Sequence, residues 1–147
     1  MKKILMIVAL ALTVSTSFAF TGEETVNKRA LSAFKTDFSG ASDIAWTTGV
    51  NYYKVTFTMS DQKLFAFYNG QGEFLAVTRF ISSFQLPLNL QNGLKKCYSN
   101  FWISDLFEMA SNDETSYYVT LENADTKIVL KSTDGKEWSA FLKNKKA

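Results

Sequence analysis

The chain has 147 residues, with 16 Lys and Arg against 14 Asp and Glu, one Cys and no His. The missing His excludes Ser-His-Asp and Cys-His nucleophile systems and any His-ligated metal. A single Cys excludes an intrachain disulfide and a thiolate metal cluster.

Met1-Lys2-Lys3 is basic, Ile4 to Leu12 is apolar, and Thr13 to Ser17 is small and polar. Ser17 and Ala19 stand three residues before and immediately before an expected cut, so residues 1–19 read as a secretory signal peptide. Their apolar run is too short for the roughly 20 residues that span a bilayer. No Cys follows it to accept a lipid, and no second run of spanning length occurs. Cleavage removes Lys2 and Lys3 but no acid, which leaves 128 residues with 14 charges of each sign. An electrically neutral chain has no global field for phosphate backbones or acidic membranes. The reading is therefore of an exported protein, periplasmic or extracellular, with no nucleic-acid partner and no membrane span after cleavage. The Lys143, Lys145 and Lys146 tail reads as a solvated end.

A first helix is expected from a capping box at Thr21-Gly22-Glu23-Glu24. Val26, Ala30, Ala33, Phe34 and Phe38 continue it at helical spacing, and Ser39-Gly40 can end it. Four β-rich runs follow, at Asp43–Thr48, Tyr52–Met59, Lys63–Tyr68 and Phe74–Phe80. Pro87 suits the first turn of a second helix, with the stripe Leu90, Leu94, Cys97, Tyr98 and Phe101. Gly93 interrupts that stripe at a cost of about 1 kcal/mol relative to Ala. Cys97 on the stripe reads as a buried, inert thiol. Four more runs follow, at Asp105–Ala110, Ser116–Glu122, Lys127–Lys131 and Trp138–Leu142. The separators are short and rich in Gly, Asn, Asp and Ser, which requires antiparallel hairpins.

The two halves match at a shift of 62 to 64 residues. Ser42-Asp43-Ile44 recurs as Ser104-Asp105-Leu106, and Tyr53, Val55 and Phe57 recur as Tyr117, Val119 and Leu121. The fold class expected is α+β, a tandem repeat of one helix followed by four antiparallel strands. Residues 20–82 form the first copy and 83–147 the second, together one compact domain. Their two sheets can join edge to edge into one curved eight-stranded sheet with the helices on one face.

Ala30-Leu31-Ser32-Ala33-Phe34-Lys35-Thr36-Asp37-Phe38 leads into Ala41-Ser42-Asp43-Ile44-Ala45-Trp46. Tyr52-Tyr53-Lys54-Val55-Thr56-Phe57, the turn before Glu73-Phe74-Leu75, and Leu86-Pro87 complete the pattern. In this order and spacing the chain resembles the small exported proteins with the PepSY-like, β-lactamase-inhibitor-like fold. The resemblance spans nearly the whole chain after residue 19. It implies a helix-plus-sheet fold, an envelope location and a non-enzymatic role in binding or inhibiting another envelope protein. It brings no set of functional residues with it. Asn89, Gln91, Asn92 and Gly93 depart from the stronger helix formers usual in the second helix.

Carboxylate pairs can hydrolyse glycosidic bonds without His, but Glu23-Glu24 and Asp113-Glu114 fall in a helix start and a hairpin loop, where capping and turn chemistry explain them. No catalytic residue, metal ligand or cofactor is expected. In Tyr52-Tyr53 and Tyr117-Tyr118, alternation sends one ring of each pair to the apolar face. It leaves Tyr52 and Tyr118 on an open face beside Lys54, Thr56, Thr120 and Glu122. Tyr52, Lys54 and Tyr118 are the candidate contacts for a protein or peptide partner. A small-molecule pocket between helix and sheet is the alternative, and a carboxylate-only hydrolase a remote one. Trp46, Trp102 and Trp138 are expected in the core.

Overall fold

The computed structural model describes residues 25–146, so the signal-peptide segment 1–19 and the Thr21–Glu24 capping box lie outside the described residues. In chain order come α1 (Lys28–Asp37), β1 (Ser42–Thr48), β2 (Tyr53–Met59), β3 (Gln62–Tyr68) and β4 (Phe74–Phe80). A 3₁₀ turn at Ser83–Gln85, α2 (Leu88–Cys97), β5 (Trp102–Ala110), β6 (Thr115–Glu122), β7 (Thr126–Ser132) and β8 (Ser139–Lys145) complete the chain. The class is α+β, with two helices and one eight-stranded sheet whose order, β1 to β8, follows the sequence. Two compact units divide at Val77/Thr78, inside β4.

In the first unit the described cap of α1 is Asn27, whose Oδ1 accepts the Ala30 amide at 2.9 Å. Its Nδ2 donates to the Gly70 carbonyl in the β3–β4 turn at 2.5 Å, so one side chain starts the helix and ties down a hairpin. Val26, Ala30 and Phe34 face Trp46, Val55, Phe57, Ala66 and Tyr68. Phe34 makes edge contacts with Trp46 and Phe57 at 5.4 and 5.0 Å, and Ala30, fully buried, lets the helix backbone lie close to the sheet. The hairpin between β2 and β3 closes Met59 on Gln62 through Ser60 and Asp61, with φ of 51° and 60°. Positive φ at both central positions is the turn that matches strand twist in two-residue hairpins.

In the second unit Leu90 and Leu94 of α2 pack on Leu106, Val119, Leu121, Ile128 and Leu130, with Ile81 and Leu86 beside them. Three expectations are corrected here. Pro87 is the helix cap rather than a first-turn residue, with an extended ψ of 143°. Cys97 is exposed, because it is the last residue of α2 and the partly buried rings of Tyr98 and Phe101 close the core beyond it. Trp102 is 54% exposed although Trp46 is buried and Trp138 half-buried. It opens β5 ahead of the irregularity at Ile103/Asp105, and the Lys146 ammonium lies 4.9 Å from its ring centroid. Lys143, Lys145 and Lys146 are exposed, as expected of a solvated end, and Lys146 is also tied down, pairing with Glu122 at 3.1 Å and donating to the Asn123 carbonyl at 2.7 Å.

The ladders also revise the internal alignment of the first strands. Ala45 faces Thr56, and Asp105 faces Thr120. With Thr56 and Thr120 matched at a shift of 64, Ala45 matches Asp105 at 60, so Ser42-Asp43-Ile44 and Ser104-Asp105-Leu106 are not in register. Each strand carries a bulge at this point, and that of β1 holds Asp43 at φ 52°. Irregular strand ends shift the spacing that self-comparison counts.

Candidate binding surfaces

In the first unit, the ladder between β2 and β3 sets Lys54 opposite Phe67, Thr56 opposite Phe65 and Thr58 opposite Lys63. These side chains alternate with the buried Val55 and Phe57 and so lie on the sheet face away from α1. Lys54 reaches the Phe65 ring at 4.9 Å, and Lys63 approaches the same ring at 6.0 Å. The Lys54 ammonium is held below the usual lysine range by burial first and by the Lys63 charge second. Tyr52 stands beside them, 6.0 Å from Phe67, and burial pushes its phenol up. Its ring also covers Gly49, where a Cβ would lie 2.1 Å from Cζ. Tyr52 and Lys54 are therefore where the alternation placed them, half-covered and in a single patch with Phe65 and Lys63.

Tyr118 is different. It belongs to the second unit and is 1% exposed, stacked on Phe107 at 5.0 Å and 13°, with Phe141 edge-on at 5.7 Å and Lys131 at 5.5 Å. Burial and then the Glu114 charge hold its phenol well above the usual range. Alternation gave it the correct face of β6, but that face is covered: Ser116 and Thr120 beside it are buried as well. The polar character of Ser116, Thr120 and Glu122 disguised a second packed layer built from rings on β5, β6 and β8.

The feature that periodicity missed lies around the 3₁₀ turn of the second unit. Phe84 is 87% exposed, Leu88 74% and Phe80 55%. A groove of about 280 Å³ runs beside Phe84, Leu94, Tyr98, Phe101 and Ile103, with Lys95 at its wall. A second, of about 360 Å³, holds Phe80, Ile103 and Asp105, and burial raises the Asp105 carboxyl. The sequence signal was Phe80-Ile81-Ser82-Ser83-Phe84, an apolar stretch without a regular period. Among the described residues no group of His, Cys, Asp and Glu could hold a metal ion, and no helix is long and apolar enough to cross a membrane.

No protein-family model and no curated protein matches the chain. Solved structures do. A DUF2874 family protein from Bacteroides ovatus is similar with a TM-score of 0.72 at 18% identity, over 82% of this chain and 88% of that one. A BLIP-like protein from Bacteroides fragilis gives 0.70 at 18% identity, over 82% and 86%. A Bacteroides eggerthii protein for which a periplasmic location is suggested gives 0.71 at 13% identity, over 82% and 88%. At these identities the likeness is one of fold: the chain has the BLIP-like, β-lactamase-inhibitor-like architecture. A shared fold carries no site with it.

Proposed function

We propose that the chain is an exported, non-catalytic binding module that contacts another envelope protein or peptide through the sheet face bearing Tyr52, Lys54 and Phe65. The observation that carries this is the patch itself, which gathers rings and ammonium groups on one face of β2 and β3. Amphipathic rings held by packing bind partners at low entropic cost. The BLIP-like fold and the periplasmic suggestion for one structural relative support the same reading, as does the signal-peptide layout of residues 1–19. Tyr118, buried in the second unit, is not among these contacts. The tandem origin of the two helix-plus-strand units belongs to this proposal, supported by the matching order of elements; the PepSY part of the resemblance rests on the sequence alone.

The test is affinity capture from an envelope extract with wild type, Tyr52→Ala and Gly49→Ala. The last leaves Tyr52 in the sequence but forces its ring off the patch. Both variants should lose the captured partner while keeping cooperative unfolding. Equal capture by all three proteins rejects the surface. A second reading, a small-molecule site in the second unit, draws on the groove beside Phe84. A thermal-shift screen of apolar envelope ligands addresses it, since a ligand that binds only the folded state raises stability.

A further inference from the structure

We infer that the groove beside Phe84 in the second unit binds an aliphatic monocarboxylate, its chain against Leu94, Phe101 and Ile103 and its head group at Lys95. This deepens the second, small-molecule reading and rests on it; it is independent of the sheet-face surface. The groove, of about 280 Å³, opens onto the core of its own unit, since Leu94 and Leu121 belong both to that core and to the lining. Phe84 stands at its rim, 87% exposed, on a turn that is held in place. The Ser82 amide donates to Gln85 Oε1 at 2.8 Å. Gln91 Nε2 donates to the Leu86 carbonyl at 2.9 Å and reaches the Phe84 carbonyl at 3.4 Å. A fixed backbone thus presents the ring to solvent, and a ligand that covers it gains apolar burial without having to order the turn.

Charge and polarity select the ligand. Lys95 is the one charged residue lining the groove, and among the described residues no carboxylate pairs with it. Asp105 lies in the neighbouring groove, which shares Ser83 and Ile103. An anionic head is therefore drawn to Lys95, while the apolar lining disfavours a ligand charged throughout. A peptide brings backbone amides and carbonyls that need partners, yet the Gln91 amide is already engaged on two carbonyls. An acyl chain brings none. The volume stands at the lower end of small-molecule sites, which suits a single chain of medium length. Anionic bilayers draw on clusters of about 4–8 basic residues, and the last turn of α2 offers only Lys95 and Lys96.

The full chain, isotope-labelled, is titrated at neutral pH with octanoate, octanol, octyltrimethylammonium and phosphatidylglycerol vesicles. Octanoate should shift the amides of Leu94, Lys95 and Ile103, raise the melting temperature, and bind about tenfold more tightly than octanol. Octyltrimethylammonium should bind more weakly than either. The preference for octanoate over octanol should vanish in Lys95→Met, which keeps the apolar stem. It should persist in Lys96→Met, an exposed neighbour outside the groove lining. Phe84→Ser, at a position already 87% exposed, should keep the fold and weaken both chains by about fivefold. Equal binding of octanoate and octanol, or an unchanged preference in Lys95→Met, overturns the carboxylate and leaves the groove standing as a small-molecule site. No binding of either chain, or shifts confined to β2 and β3, removes both. Preference for vesicles, or self-association that Phe84→Ser abolishes, also overturns the inference, by giving the groove a different occupant.

Discussion

Gly93 and Trp138 meet where α2 lies on the second sheet segment: a Cβ on Gly93 would stand 3.2 Å from Trp138 Cδ1. The indole cannot simply retreat, because its Nε1 donates to the Leu90 carbonyl at 2.9 Å, one turn earlier on the same helix. The glycine that weakens α2 as a helix is thus what lets the ring reach the backbone. Gly93→Ala should lower stability by about 1 kcal/mol despite the propensity gain of similar size. In a Trp138→Phe background the same change should become stabilising. A double-mutant cycle by urea unfolding measures this coupling, and additive effects would contradict it.

Asn27 links α1 to the β3–β4 turn through both ends of its amide. Asn27→Ala should cost about 1–2 kcal/mol, the usual loss of a cap together with a tertiary bond. Asn27→Asp keeps the cap but turns an oxygen toward the Gly70 carbonyl. It should therefore also destabilise, which simple capping preference does not predict. Thermal unfolding of the two variants checks this.

Tyr68 is fully buried and donates its hydroxyl to Asp37 Oδ2 at 2.9 Å, tying β3 to the end of α1. Burial first, then this hydrogen bond and the Asp37 charge, hold its phenol far above the ordinary value. Tyr118 is raised as well, by burial and by Glu114. In both cases the folded pKa lies above the unfolded one. The stabilisation is therefore complete below the unfolded pKa of about 10 and is lost as pH rises beyond it toward the folded value. Each ring should contribute a fall of up to about 1.4 kcal/mol per pH unit above that point. Tyr118→Phe and Tyr68→Phe should each flatten the alkaline limb of a urea-midpoint profile, and an unchanged slope would count against the burial.

Cys97 is exposed at the end of α2. A maleimide should label it in the native protein without denaturant, at a rate close to that of the unfolded chain. Cys97→Ser should change stability by less than about 0.5 kcal/mol, as surface substitutions do. Labelling that waits for unfolding would restore the buried thiol expected from the helical stripe.

Much of the local architecture follows from residue pattern alone. The run Phe74–Phe80 coincides with β4, and the other strands match to within a few residues, because the period-two alternation of Tyr53, Val55, Phe57 and Met59 reports burial on one face directly. The candidate site was half legible. Tyr52 and Lys54 stand together because their placement depends only on alternation along one strand. Phe65 and Lys63 joined them only through ladder register, a relation between strands that no single strand records.

By itself, the sequence determined the class of the fold, the faces of the strands and the absence of His and disulfide chemistry. Those are properties of residue type and local period. Tertiary structure decided that Tyr118 is sealed beneath Phe107 and Phe141, that Trp102 and Cys97 face outward, and that Gly93 is a contact rather than a flaw. Each of these turns on what covers a residue from another part of the chain. Burial is a property of that cover, and a periodic pattern states only which way a side chain points.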